Sequence, residues 1–166
     1  VTVVRPARLD DLPALTAIYN HYVRTSAATF DVQEFTVERR RWWFDDHADI
    51  GPHRLVVAVD DADMVLGYAT SSLFRSKPAY VTSVETSVYC HPEATGRGLG
   101  TLLYRRLFEE LTGADLHRAY AGVALPNDAS EALHRRVGFH EVGTYAEVGR
   151  KFGRYWDVRW FERALP

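Results

Sequence analysis

The segment His91–Leu111, HPEATGRGLGTLLYRRLFEEL, decides how the chain is read, because its character changes near residue 99. Polar residues dominate up to that point, and glycines at 96, 98 and 100 bracket the change. Beyond it Leu99, Leu102, Leu103, Leu107 and Leu111 recur at helical spacing. The preceding run, AYVTSVETSVYC over 79–90, is rich in β-branched residues and reads as a long strand. A strand feeding a glycine turn and then a helix makes an anion site: glycines let the backbone come close, and the first helical N–H groups have no partner within the helix. Phosphate is the natural occupant. GRGLG satisfies neither the dinucleotide spacing G-x-G-x-x-G nor the triphosphate loop G-x-x-x-x-G-K-[ST]. By themselves the glycines are equally compatible with a turn that serves only packing.

Working outward, TVVRPA (2–7) reads as a first strand, and DDLPALTAIYNHYV (10–23) as a helix capped by Asp10 or Asp11, with Pro13 in its first turn. TVERRRWWFDDH (36–47) reads as a second helix with a basic, aromatic face. RLVVAVDD (54–61) and MVLGYATSSL (64–73) form a hairpin across the acidic turn Asp60–Asp63. After the leucine helix come a strand, RAYAGVAL (118–125), and a short helix within NDASEALHRRVGF (127–139). In that helix Asp128 and Glu131 resemble a capping box and Gly138 a stop. HEVGTYAEVG (140–149) and RYWDVRWFERAL (154–165) read as closing strands. The order β-α-α-β-β-β-α-β-α-β-β implies an α/β (α+β) fold with a mixed sheet flanked by helices, in one domain over 1–166.

Composition narrows the function classes. A chain that is 46% hydrophobic and 13% aromatic folds into a packed core. A formal charge of −2 gives no electrostatic case for nucleic acid or an anionic membrane. The single Cys90 forms no internal disulfide and belongs to no zinc-ligand spacing, so no metal site is expected. A reducing compartment, the absence of a bilayer-length apolar run and the lack of an apolar signal core in VTVVRPARLDDL lead to the expectation of a cytoplasmic protein.

The run Thr95-Gly96-Arg97-Gly98-Leu99-Gly100 resembles the pyrophosphate-binding turn [Q/R]-x-x-G-x-[G/A] of the GNAT acetyltransferase superfamily, with Thr95 in place of the usual Gln or Arg. The blocks YNHYVRTSAATF, FRSKPAY, SVETSVY, LPNDASEALHRRVGF and GRKFGRYWDV stand in the order found in phosphinothricin and methionine sulfoximine or sulfone acetyltransferases. They run from Tyr19 almost to the C-terminus. The resemblance implies a GNAT fold with a central, mostly antiparallel sheet, and acetyl-CoA as cofactor. It places the coenzyme's diphosphate on the amides of Gly96, Arg97, Gly98, Leu99, Gly100 and Thr101, with Arg97 as an added cation. It also places the pantetheine arm along Val88, Tyr89 and Cys90 and against Asn127, and it implies a homodimer. Trp42, Trp43, Tyr155 and Trp156 would serve such an interface or the core equally well.

Amine acetylation starts from an ammonium that must lose a proton, so it requires a base. Glu85 interrupts a strand of β-branched and small residues, where a carboxylate is unfavourable. Regular alternation puts it with Val81, Ser83, Ser87 and Tyr89, opposite Val84 and Val88. An ordinary solvent-facing position explains it as well; the resemblance makes it the base, acting directly or through water. Many GNAT enzymes carry a tyrosine acid in a pattern like L-Y-x-x-x-G-F; here Leu133-His134-Arg135-Arg136-Val137-Gly138-Phe139 puts His134 in its place. Imidazolium, with a reference pKa of about 6.5 against about 10 for phenol, is the stronger acid toward a departing thiolate. His134 is equally able to pair with Glu85 or relay the substrate proton. Cys90 suggests an acyl-cysteine route, but direct transfer needs no nucleophilic thiol.

The acceptors implied are small amino acids with a carboxylate and a polar tetrahedral head group, whose oxygens call for cationic donors. Arg75 and Lys77 match the family's basic positions, with Tyr80 following, Phe30 as an apolar wall, and Lys151 and Phe152 completing the pocket from the last turn, from the same or another subunit. The basic segment argues against a polyamine, an aminoglycoside or a protein N-terminus as acceptor. The reading from another class is a regulatory module that binds acyl-CoA without turnover.

Overall fold

A computed structural model of the protein describes residues Val1–Pro166. Every expected element forms, in the expected order: β1 (Val3–Pro6), α1 (Leu12–Thr25), α2 (Val37–Asp45), β2 (Leu55–Val59), β3 (Val65–Leu73), β4 (Ser83–Cys90), α3 (Leu99–Glu110), β5 (Arg118–Ala124), α4 (Asp128–Arg136), β6 (His140–Lys151) and β7 (Arg154–Ala164). The strands make one sheet in the order β1-β2-β3-β4-β5-β7-β6. All neighbours are antiparallel except β4 and β5.

The sheet is buried on both faces where it matters. On β2 the run LVVAV has no polar position because Val56 and Ala58 pack with α3, while Leu55, Val57 and Val59 pack with α1. The leucine stripe of α3 drives one layer: Leu99, Leu103 and Leu107 are buried against Ala69, Val84 and Ala121. Each such leucine contributes about 1.5–3 kcal/mol on burial. On the other layer Leu15 and Ile18 of α1 meet Val57 and Tyr68.

Three local readings change. The strand expected from Ala79 begins at Ser83, because Pro78–Tyr80 form a 3-10 turn and Val81 lies outside the strand, exposed. Asp11 occupies the N-cap of α1, but its carboxylate does not cap the helix; it accepts two hydrogen bonds from Arg5, at 2.8 and 3.0 Å, and one from the Arg8 amide. At α4 the cap is Asn127, whose Oδ1 accepts from Ser130 N at 3.1 Å, and not Asp128. Glu131 is drawn instead to Arg159, at 2.6 Å.

Candidate active site

The parallel register of β4 and β5 runs from Ser83–Arg118 only to Glu85–Tyr120. β4 continues to Cys90 against β3, and β5 continues to Ala124 against β7. The two strands therefore diverge beyond Glu85 and leave a wedge between them. A cleft of about 470 Å³ fills the wedge, walled by Val88, Tyr89 and Cys90 on one side and Gly122–Ala124 on the other. Its far end is closed by residues 94–96 and 98–101 and by α4.

The glycine turn is the end of this cleft, and each glycine has its own reason. Gly96 and Gly98 have φ of +76° and +77°, the left-handed region in which a side chain is unfavourable. At Gly100 the constraint is contact: a Cβ there would lie 2.6 Å from Leu133 Cδ2, where α3 meets α4. No acceptor within the chain takes the N–H groups of residues 96 to 100, and the first helical bonds are donated by Thr101 and Leu102 to Gly98 O. Unpaired main-chain donors at a helix N-terminus fit a diphosphate. Thr95 holds the turn rather than reaching outward, its hydroxyl donating to Pro92 O at 3.1 Å. Gly96, Gly98, Leu99, Gly100, Thr101 and Asn127 all line the cleft; Arg97 is exposed and does not. The Asn127 cap bond uses only Oδ1, which leaves its amide nitrogen free to donate to a pantetheine carbonyl.

At the crotch of the wedge a chain of buried groups meets the cleft. Thr86 Oγ1 donates to Tyr120 O at 3.2 Å and lies 3.2 Å from the Tyr104 hydroxyl, which is 2.9 Å from His134 Nε2. His134 Nδ1 donates to Ser130 O at 2.7 Å, because a carbonyl only accepts. That bond fixes the neutral tautomer and makes Nε2 the acceptor of the Tyr104 proton. His134 is 4% exposed and stacks on Phe161, and its burial pushes its pKa below the ordinary value. Burial therefore works against the imidazolium acid expected of His134, the Ser130 bond works for it, and no carboxylate hydrogen-bonds to the ring. Tyr104 is raised by the same burial, with the Glu85 charge adding to it.

Glu85 lies on the other face of β4 with Ser87 and Tyr89, directly across from Ser72 of β3. Burial raises its pKa, and the nearby Arg75 guanidinium opposes the rise. Glu85 forms the floor of a second cavity of about 340 Å³, walled by Phe30, Tyr145, Val158 and Trp160. This cavity and the cleft share Ala28, Gly122 and Ala124; Glu85 lines the cavity, and its neighbour Thr86 lines the cleft. Phe30 owes its place to Gly149, where a Cβ would lie 2.2 Å from the ring.

The other expected acceptor residues divide. Arg75 is exposed and close enough to influence Glu85. Tyr80 packs edge-on against Phe74, and neither it nor exposed Lys77 lines the cavity. Lys151 corrects the expectation most clearly. Its ammonium is buried in its own chain and donates to Ser26 O and Thr29 O at 2.7 Å each and to Tyr22 O at 3.4 Å, which leaves no donor for a substrate. It fastens the segment after α1, the one that carries Phe30, against the β6–β7 turn. Phe152, at that turn with φ +53°, is exposed and outside the cavity. Cys90 is an unfavourable nucleophile, since burial pushes its thiol up to about 11 with no cation to offset it. Thr86, Tyr104 and Trp160 escaped the sequence reading; only a tyrosine within the leucine stripe signalled a buried polar group.

This arrangement, an amide-lined turn closing a wedge between two parallel strands with a carboxylate at its crotch, coincides with what comparison shows. Residues 15–139 match the acetyltransferase (GNAT) family, and the chain belongs to it. It is 61% identical over 163 residues to a phosphinothricin N-acetyltransferase of Streptomyces coelicolor, covering 98% of this chain and 95% of that one. It is 37% identical to an L-methionine sulfoximine/L-methionine sulfone acetyltransferase of Pseudomonas aeruginosa, covering 98% and 94%. A crystal structure of a phosphinothricin acetyltransferase from Sinorhizobium meliloti in complex with acetyl-CoA superimposes with a TM-score of 0.93 at 32% identity, covering 99% and 88%.

Proposed function

We propose that the protein transfers the acetyl group of acetyl-CoA to the α-amino group of a small amino acid of the phosphinothricin, methionine sulfoximine or methionine sulfone type. The observation that supports this reading is the position of Glu85, in an aromatic cavity at the point where β4 and β5 part to form the amide-lined cleft that the cavity adjoins. The names of the relatives support the acceptor class.

When bound, the coenzyme supplies the acetyl group as a thioester that an uncharged amine attacks, with loss of a thiol. The amides of residues 96 to 100 and the amide nitrogen of Asn127 would hold it. Glu85 takes a proton from the acceptor's ammonium, directly or through one water; its raised pKa makes it a better proton acceptor than an exposed carboxylate. Arg75, exposed outside the cavity lining but near enough to influence Glu85, would be the cation available to the carboxylate that an α-amino acid carries next to its amine. Tyr104 lies behind the cleft wall, reached from it through Thr86 and His134, so a proton for the departing thiol would pass along that chain.

The exposed apolar side chains Val142, Tyr145, Val148 and Tyr155 on β6 and β7 support a homodimer through this edge of the sheet. No helix is long and apolar enough to cross a membrane. Dependence on acetyl-CoA supports work in the cytoplasm, and acetylation of a toxic amino acid would confer resistance to it.

The test is thiol release from acetyl-CoA over phosphinothricin, methionine sulfoximine, methionine sulfone, ordinary amino acids and polyamines. Turnover is expected with the first three. Inert phosphinothricin analogues beside an active polyamine would overturn the acceptor class, and CoA binding without turnover of any amine would make the protein a regulatory module.

A further inference from the structure

Beneath α2, on the Glu85 face of the sheet, lies a third and smaller compartment of about 170 Å³ that the acetyl-transfer reading does not use. Its most unusual wall is Arg40. This guanidinium is 4% exposed and sandwiched between two rings, its carbon 4.1 Å from the centre of Tyr19 and 3.9 Å from that of Trp43. Ion pairs elsewhere in the molecule are numerous, yet none involves Arg40, and its NH1 nitrogen is buried without an acceptor. The Tyr68 hydroxyl, in the same wall, is buried beside that guanidinium, which opposes the rise that burial imposes on its pKa, and no other group partners it.

Stacking on two rings offsets part of the cost of burying a guanidinium. It leaves the buried NH1 group unsatisfied, which is expensive in a dry site. The strands direct further donors at the same spot. Register pairs Tyr68 with Tyr89 and Thr70 with Ser87, so the hydroxyls of Thr70 and Ser87 share the floor with that of Tyr68. The one carboxylate in the lining, Asp31, is exposed and accepts from the Tyr19 hydroxyl, outside ion-pair distance of Arg40.

We propose that this compartment is an oxyanion-binding subsite, in which Arg40 and the hydroxyls of Tyr68, Thr70 and Ser87 hold one small carboxylate, phosphinate or phosphate group. A forked donor and convergent hydroxyls match two or three oxygens on one centre, and the volume excludes anything much larger. Ser87 and Tyr89 line both this compartment and the coenzyme cleft, so the group arrives either as a free anion or on an acceptor that extends past Ser87.

The test is equilibrium binding by the full chain without acetyl-CoA, using inorganic phosphate, acetate, phosphinothricin and methionine sulfone. A free-anion site shows saturable thermal stabilisation by phosphate or acetate that Arg40→Met abolishes and Tyr68→Phe weakens several-fold. An acceptor-borne group shows no response to phosphate or acetate. Arg40→Met then weakens phosphinothricin, with its anionic head group, by at least about tenfold and methionine sulfone, with an uncharged one, by less than about twofold. Should Arg40→Met fail to fold, Arg40→Lys, which keeps the charge without the fork, and Tyr68→Phe read the same contrasts. Identical responses of the wild type and the folded variants to all four ligands would overturn the proposal. Every arm is a binding measurement without acetyl-CoA, so the proposal fails or succeeds independently of whether the acetyl group is transferred.

Discussion

The two sides of β4 are built from different parts of the polypeptide. Toward α3 and α4 the cleft is mostly main chain: unpaired amides at 96 to 100, the free edges of β4 and β5, and glycines that bring backbone close. Toward α1 and α2 the acceptor cavity and the Arg40 compartment are side chains almost throughout, with Glu85, Phe30, Trp160 and Tyr68 prominent. A coenzyme that never changes can be gripped by conformation alone, whereas choosing among amines needs chemistry that only side chains provide. Thr95 illustrates the first case: a small hydroxyl replaces a long donor, and the amides beside it remain available.

The contrast can be broken at each side in turn. The largest effect belongs to Glu85→Gln, which should lower kcat by about 10²–10⁴-fold while leaving the coenzyme dissociation constant unchanged; steady-state assays beside a coenzyme titration separate the two. The same variant should melt no lower than the wild type at neutral pH. Burial raises the Glu85 pKa in the folded state, so ionisation opposes folding once pH rises through that value, and removing the charge relieves it. Gly98→Ala comes next: a left-handed φ of +77° costs a side chain about 1–2 kcal/mol, and a turn that shifts to escape it misaligns its amides. Coenzyme affinity should fall about 10- to 100-fold with acceptor KM unchanged at saturating coenzyme.

Lys151→Met separates support from contact. It strips a donor from three carbonyls, one buried and two part-buried, and should cost about 1–3 kcal/mol in urea unfolding, raising acceptor KM through the loosened Phe30 segment but not coenzyme affinity. The smallest effect is that of Arg75→Ala on the pH profile. Glu85 must be ionised to act, so activity is lost as pH falls through its raised pKa. Arg75 lowers that pKa, and its loss should move the acidic limb of kcat/KM to higher pH by less than about one pH unit, since Arg75 is exposed.

Periodicity and turn chemistry made the elements legible, because leucine spacing in α3 and alternation in β4 report directly on which face is buried. The turn that closes the cleft was legible through its glycines, which leave a mark wherever backbone conformation is at stake. Lys151 shows what was not legible: a lysine on a turn reads as solvent-facing, and only the fold reveals carbonyls converging on it across more than a hundred residues of chain. Arg40 was hidden for the same reason, as one arginine in a basic run whose burial depends on Tyr19 and Trp43 closing over it. Asn127 and Asp128, adjacent in sequence and both good caps, could be told apart only by which backbone dihedral falls outside the helix.

The most direct measurement is amide NMR of the 18.9 kDa protein during titration with CoA. The account predicts that the resonances of Gly96 through Gly100 move downfield together, as N–H groups that donate to nothing acquire a phosphate acceptor, with the Glu85→Gln variant showing the same pattern. Saturable CoA binding that leaves those five amides unmoved would contradict it.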